Sequence, residues 1–181
     1  YKFTPQTFDS WARILKKVDH SFLLLYIDNS SAQKNLIKEI VKRGINSKRL
    51  VFGERLNRPE YLARYRVADL FLDTQPYNAG TTASDALRMG LPMLTRIGKA
   101  YQARMGASIV NALNLPELIT NTPEEYESLA IELATNPGKL KAIKDKLANN
   151  LSTAPLYDTK LFAKNLESAY TQMYERHHKG L

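Results

Sequence analysis

The chain has 181 residues, 44% hydrophobic and 24% charged, with 26 Lys and Arg against 18 Asp and Glu for a net charge of +8. That length and apolar content suit one globular domain with a substantial core and exclude a disordered chain; no apolar run approaches the ~20 residues of a membrane span, and no signal-peptide pattern is present. The absence of cysteine excludes a disulfide framework and any thiolate metal site and fits a cytoplasmic protein. A basic domain attracts anions, whether nucleotides, nucleic acid or acidic headgroups. A nucleic-acid module would add a basic stripe interleaved with aromatics, or a reading helix, and neither stands out. Charges such as Lys16 and Lys17, or Lys139, Lys141, Lys144 and Lys146, sit on ordinary amphipathic helices.

Thr4 and Pro5 read as N-cap and first residue of a helix whose Phe8, Trp11, Ile14, Leu15 and Val18 form an inward face. Residues 22–27, FLLLYI, are a continuous apolar run, as in a parallel strand covered on both faces. A helix from Ser31 to Arg43 ends at Gly44, and Arg49 to Phe52 is the next strand, ended by Gly53. Residues 57–66, NRPEYLARYR, predict a short helix before a strand at 70–72. After Thr95 come a helix over 101–113 and further helices over 123–135 and 137–151, the first opened by Thr122-Pro123-Glu124-Glu125. A polar link over 152–158 precedes a last helix from Lys160 to His177. Alternating strands and helices predict an α/β fold with a Rossmann-like, doubly wound parallel sheet, whose ligands bind beyond the carboxyl ends of the strands.

Residues 69–95, DLFLDTQPYNAGTTASDALRMGLPMLT, organise the rest. A strand, a turn with Pro76, Asn78 and Gly80, and a helix opening on Thr81-Thr82 and stopping at Gly90 together present free N–H groups and the positive end of a helix dipole. Asp85, four residues in, suits a carboxylate accepting from sugar hydroxyls. The plain alternative is that both threonines are helix caps. No DxD pair exists, and His20, His177 and His178 are scattered or terminal, so no metal site is expected.

This stretch, with Leu72-Asp73-Thr74, the threonine pair, Asp85 and Gly90-x-Pro92, resembles the nucleotide-binding half of the O-GlcNAc transferase and SPINDLY family. The resemblance runs the whole chain, through YKFTPQTFDSW at 1–11, RLVF at 49–52 and APLYDTK at 154–160. It implies the C-terminal half of a GT-B glycosyltransferase of family 41, inverting and metal-independent, with no cofactor and UDP-GlcNAc as donor. Residues 1–152 would be the donor-nucleotide domain. Residues 153–181 would be a linker and C-terminal helix packing back on it or on the missing N-terminal half. The implied partners are the nucleotide sugar and a protein acceptor reached through that half, with helical (TPR) repeats upstream. The first strand of the domain's own sheet would also lie upstream, and the fragment alone would be inactive.

Residue by residue, the resemblance assigns Lys2 to the donor diphosphate as the catalytic cation, against the plain alternative of a frayed terminal lysine. The backbone of Leu56 would meet the base edge, with Arg58 a nearby basic residue. Tyr61 falls where animal enzymes carry a histidine against the base; a core aromatic is the alternative. Arg64 would support the site or form a salt bridge. Thr81 and Thr82 would bind the diphosphate and Asp85 the ribose. Gly80 departs from the animal pattern, which has a histidine there, and so leans toward bacterial and SPINDLY-like members. A GT-B transferase using GDP-fucose or UDP-glucose, and a non-catalytic interaction module, are the other readings.

Overall fold

A computed structural model describes residues 2–181. Helix α1, Pro5–Lys17, starts where Thr4 accepts from the Thr7 N–H, and it buries Phe8, Trp11, Ile14 and Leu15 at helical spacing. Strand β1, Leu23–Tyr26, and strand β2, Leu50–Gly53, are parallel, with Leu23 opposite Leu50 and Tyr26 opposite Gly53. Helix α2, Ser30–Lys42, joins them, capped by Asn29 and closed at Gly44, whose φ of +74° suits a residue without a side chain. Helix α3, Arg58–Arg64, is capped by Asn57 and followed by a 3₁₀ turn. Then β3, Phe71–Leu72, α4, Thr81–Arg88, β4, Met93–Arg96, α5, Met105–Ala112, and β5, Ile119–Thr120, build a second parallel sheet ordered β3-β4-β5. Helices α6, Pro123–Thr135, α7, Pro137–Leu151, and α8, Thr159–His178, complete the chain.

Successive side chains of a strand point to opposite faces, and β4 shows it. Met93 joins a cluster with Ala83, Leu87, Val110, Leu113, Leu133 and Leu147, while Leu94 joins one with Phe8, Trp11, Leu15, Ile40, Leu50 and Ala130. Both residues have no exposed surface. Helices α4, α5 and α7 thus cover one face and α1 and α2 the other, with α6 reaching both through Leu133 on the first and Tyr126 and Ala130 on the second, as a doubly wound fold requires.

Four features differ from the sequence expectation. The parallel strands form two pieces, β1-β2 and β3-β4-β5, without a ladder between them among the described residues. Strands β1 and β2 are covered on one face only: Leu23, Leu25 and Phe52 pack into the α1 cluster, whereas Leu24, Tyr26 and Val51 are exposed. The helix expected over 101–113 divides into a 3₁₀ turn and α5, because the Gln102 and Ala103 carbonyls accept from Asn78 and Gly98 N–H groups outside the helix. Strand β5, only two residues long, carries too little pattern to be read from sequence.

Ala154, Leu156 and Tyr157 pack against the α4–α7 cluster, and the Tyr157 hydroxyl donates to the Ser84 carbonyl of α4 at 2.8 Å. None of the residues of helix α8 is buried, and Phe162, Tyr170, Met173 and Tyr174 are each more than half exposed. No helix among the described residues is long and apolar enough to cross a membrane.

Candidate functional site

The turn between β3 and α4 is tied from inside. Asp73, 2% exposed, accepts on Oδ1 from the N–H groups of Thr74 (2.8 Å) and Ala79 (2.7 Å), and on Oδ2 from the Thr95 hydroxyl (2.6 Å). Asn78, fully buried, donates to the Thr74 carbonyl and accepts from the Gly106 N–H. The Tyr126 hydroxyl holds the Asp73 carbonyl. Burial pushes the Asp73 carboxyl up to about 6, although those donors and the positive charge of Lys2 pull the other way. Gly106 is glycine for a steric reason: a Cβ there would run into Asp73 Oδ2 and Thr95 Oγ1.

The turn delivers Gly80 as N-cap of α4, and no side chain caps that helix. By contrast α1, α2, α3, α6, α7 and α8 are capped by Thr4, Asn29, Asn57, Thr122, Asn136 and Asp158. Thr81 and Thr82 lie inside the first turn, after the cap position, and are exposed, so they are not the caps. The free N–H groups, the dipole and two hydroxyls face outward together, which is the arrangement that attracts an anion. At Gly80 itself a Cβ would meet Met105 Sδ at 2.8 Å, so the space of a larger residue is filled by methionine.

One helical turn further, Asp85 is 8% exposed and meets the segment after β2. Arg58 donates to both carboxylate oxygens, Nη1 to Oδ2 at 2.9 Å and Nη2 to Oδ1 at 2.8 Å, and the Tyr61 hydroxyl adds a bond to Oδ2 at 3.2 Å. A carboxylate has about four acceptor positions, so one remains on Oδ1. A second bond to a ribose would require Arg58 to swing away, which its 62% exposed side chain permits. Among the described residues Arg64 makes no ion pair: it donates to the Glu54 carbonyl at 2.8 Å and lies against the Tyr26 and Tyr61 rings, each centroid 5.9 Å away. A Cβ on Gly53 would collide with its guanidinium, so strand end and arginine fit each other. Leu56, exposed, lies in the segment that Arg64 holds.

Lys2 stands with its ammonium 5.2 Å from the centre of the Tyr77 ring, within the turn between β3 and α4. Tyr1, which opens the matching run, lies outside the described residues. The fold thus gathers Arg58, Tyr61, Arg64 and Asp85 in one cluster and places Lys2 at the turn leading to Gly80, Thr81 and Thr82. Two open clefts also lie at this edge. One of about 540 Å³ is bordered by Thr7, Asp73, Gln75 and Arg96, the other of about 380 Å³ by Tyr26, Gln33, Glu54 and Arg55; neither is bordered by Thr81, Thr82 or Asp85.

Sequence reasoning missed Tyr65, whose hydroxyl lies 2.6 Å from that of Tyr61, and the load that Asp73 and Asn78 carry inside the turn. The spacing of Tyr61 and Tyr65, i and i+4 on a helix, was the available signal for the first. Among the described residues no group of three His, Asp or Glu side chains could hold a metal ion. The four lysines of α7 are each paired with a carboxylate: Lys139 with Glu132, Lys141 with Asp145, Lys144 with Asp69 and Lys146 with Glu117.

Residues 1–166 match the family model described as Glycosyl transferase family 41. The chain is 33% identical over its whole length to a UDP-N-acetylglucosamine--peptide N-acetylglucosaminyltransferase of Caenorhabditis elegans, and spans 16% of that protein. It is 33% identical over 99% of its length to the probable Arabidopsis thaliana enzyme SEC, spanning 18% of it, and 30% identical over 99% to the probable enzyme SPINDLY of Hordeum vulgare, spanning 19%. A mutant of the Thermobaculum terrenum O-GlcNAc transferase superposes with a TM-score of 0.90 at 31% identity, covering 96% of this chain and 34% of that one. The α/β fold is accordingly that of the C-terminal half of a GT-B glycosyltransferase, and the chain belongs to glycosyl transferase family 41.

Proposed function

We propose that this chain is the donor-nucleotide half of a protein O-GlcNAc transferase and holds the UDP of UDP-GlcNAc while N-acetylglucosamine passes to a Ser or Thr hydroxyl. The observation that carries this reading is the uncapped N-terminus of α4 with Thr81 and Thr82 exposed on it, one turn from the Asp85–Arg58–Tyr61 cluster. The relatives' names supply the donor and the peptide acceptor. The acceptor oxygen forms a bond to the anomeric carbon from the face opposite the leaving group, inverting it. The bond from that carbon to the β-phosphate oxygen breaks, and the hydroxyl proton goes to a base outside this chain. Negative charge grows on the departing diphosphate, where the α4 dipole, the two hydroxyls and Lys2 offset it. Asp85 takes a ribose hydroxyl, and Tyr61 and the Leu56 backbone take the base.

Catalysis in a two-domain cleft needs groups placed from both sides. Residues 1–181 alone therefore bind nucleotide and transfer nothing. The apolar stripe of α8, Phe162, Leu166, Tyr170 and Met173, is exposed, and in this reading it meets the other half of the enzyme.

A thermal-melting panel of UDP, GDP, UMP and the corresponding nucleotide sugars tests the reading. UDP at a hundredfold excess over its dissociation constant should stabilise the chain by about 2.7 kcal/mol, with GDP shifting it less. An unchanged melting temperature with every nucleotide up to millimolar concentration would remove the site.

A further inference from the structure

Tyr65 belongs to the Asp85 cluster, yet neither the family resemblance nor the proposed chemistry uses it. It sits one turn after Tyr61, its ring 5.3 Å from the Tyr61 ring at 76° and 6.4 Å from Phe71, with its hydroxyl 2.6 Å from that of Tyr61. The direction of the hydrogen bonds follows from counting protons. Ionised Asp85 can only accept, so the single Tyr61 proton goes to Oδ2, and the Tyr61 oxygen must then accept from Tyr65. The result is a relay: Tyr65 donates to Tyr61, Tyr61 donates to Asp85, and Arg58 closes the other side of the carboxylate. Burial and donation to Tyr61 both push the Tyr65 hydroxyl upward from its ordinary value, so it stays a donor at any physiological pH.

We propose that Tyr65 is a positioning residue for nucleoside recognition, orienting Tyr61 so that the ring meeting the base and the carboxylate meeting the ribose are held as one unit. A hydroxyl with a fixed acceptor and a fixed donor cannot rotate, and bonds in such a chain strengthen one another. With Tyr61 locked, Asp85 keeps Oδ2 engaged and turns its remaining acceptor position on Oδ1 outward. Without Tyr65 the Tyr61 hydroxyl is free to leave the carboxylate, which then sets toward Arg58 alone. The loss falls on recognition of the sugar hydroxyls and not on the phosphates, which α4 holds separately.

This assignment rests on the UDP reading, so its test carries a separate control for that reading. UDP and 2′,3′-dideoxy-UDP are titrated calorimetrically into the wild-type chain, Tyr65→Phe, Tyr61→Phe and the double variant, with melting temperatures measured alongside. Tyr65→Phe keeps the ring on Phe71. It should cut the preference for UDP over the dideoxy ligand by about fivefold, the worth of one neutral hydrogen bond, and the same change should have no further effect in the Tyr61→Phe background. An unchanged preference in Tyr65→Phe, or an equal drop in the Tyr61→Phe background, would overturn the relay and leave Tyr65 a packing residue. A wild-type chain that binds neither ligand overturns the donor-site reading and this assignment with it.

Discussion

Gly106→Ala should destabilise the chain by about 1–3 kcal/mol, the usual cost of forcing one extra carbon into a filled core, and should weaken UDP although Gly106 touches no ligand. The methyl group would enter space held by Asp73 Oδ2 and Thr95 Oγ1. Moving the Asp73 carboxylate breaks its bond to Thr95 and strains those to Thr74 and Ala79, the bonds that set the turn before α4. Asn78, which takes the Gly106 N–H, would shift as well. Thermal melting should register the loss at roughly 2–4 °C per kcal/mol for a domain of this size. Gly138→Ala is the matched control. A Cβ there meets only Asn136 Oδ1 at 3.5 Å, so the helix α7 that contains it should gain about 0.5–1 kcal/mol. Equal melting temperatures for Gly106→Ala and wild type would show that the Asp73 knot is not a constraint.

Asp85→Asn should weaken UDP by about ten- to 150-fold and leave inorganic pyrophosphate nearly unchanged. A hydrogen bond to a charged group is worth about 1.5–3 kcal/mol, and each 1.4 kcal/mol is about tenfold in affinity. The substitution also turns an amide N–H₂ toward one Arg58 nitrogen. That guanidinium is 62% exposed and can move into water, so the fold should survive. Phosphates, held at the first turn of α4, do not depend on the carboxylate in this account. Calorimetric titration of both ligands checks it, and parallel losses for UDP and pyrophosphate would make Asp85 an anchor for Arg58 and α3 and not a sugar contact.

The residues on which the site depends were legible in sequence to different degrees, for physical reasons. The strand, turn and helix of 69–95 carry their own punctuation, with Pro76, Gly80 and Gly90 as breaks, so α4 was placed within a residue of its observed end. Helices α6 and α7 were placed at their observed bounds because each opens with a cap and a proline. Whether Thr81 and Thr82 were caps or ligand donors was not legible, since both uses need a hydroxyl at a helix start; only the backbone shows that the cap is Gly80. The Asp85–Arg58 pair spans 27 positions and two loops, and no local pattern announces such a contact. Exposure of the β1-β2 face was misread because a run of apolar residues signals burial without saying what does the burying. Helix α8 was legible as a helix to within a residue at each end, because its apolar residues recur at helical spacing, but that spacing does not say what covers them.

Where UDP sits is the claim on which the rest depends, and amide chemical shifts of the ¹⁵N-labelled chain during a UDP titration report it directly. The largest changes are expected at the N–H groups of Thr81 and Thr82, smaller ones at Leu56, Tyr61 and Asp85, and none along α7 or α8. Shifts confined to the paired lysines of α7, or a spectrum unmoved by millimolar UDP, would contradict it.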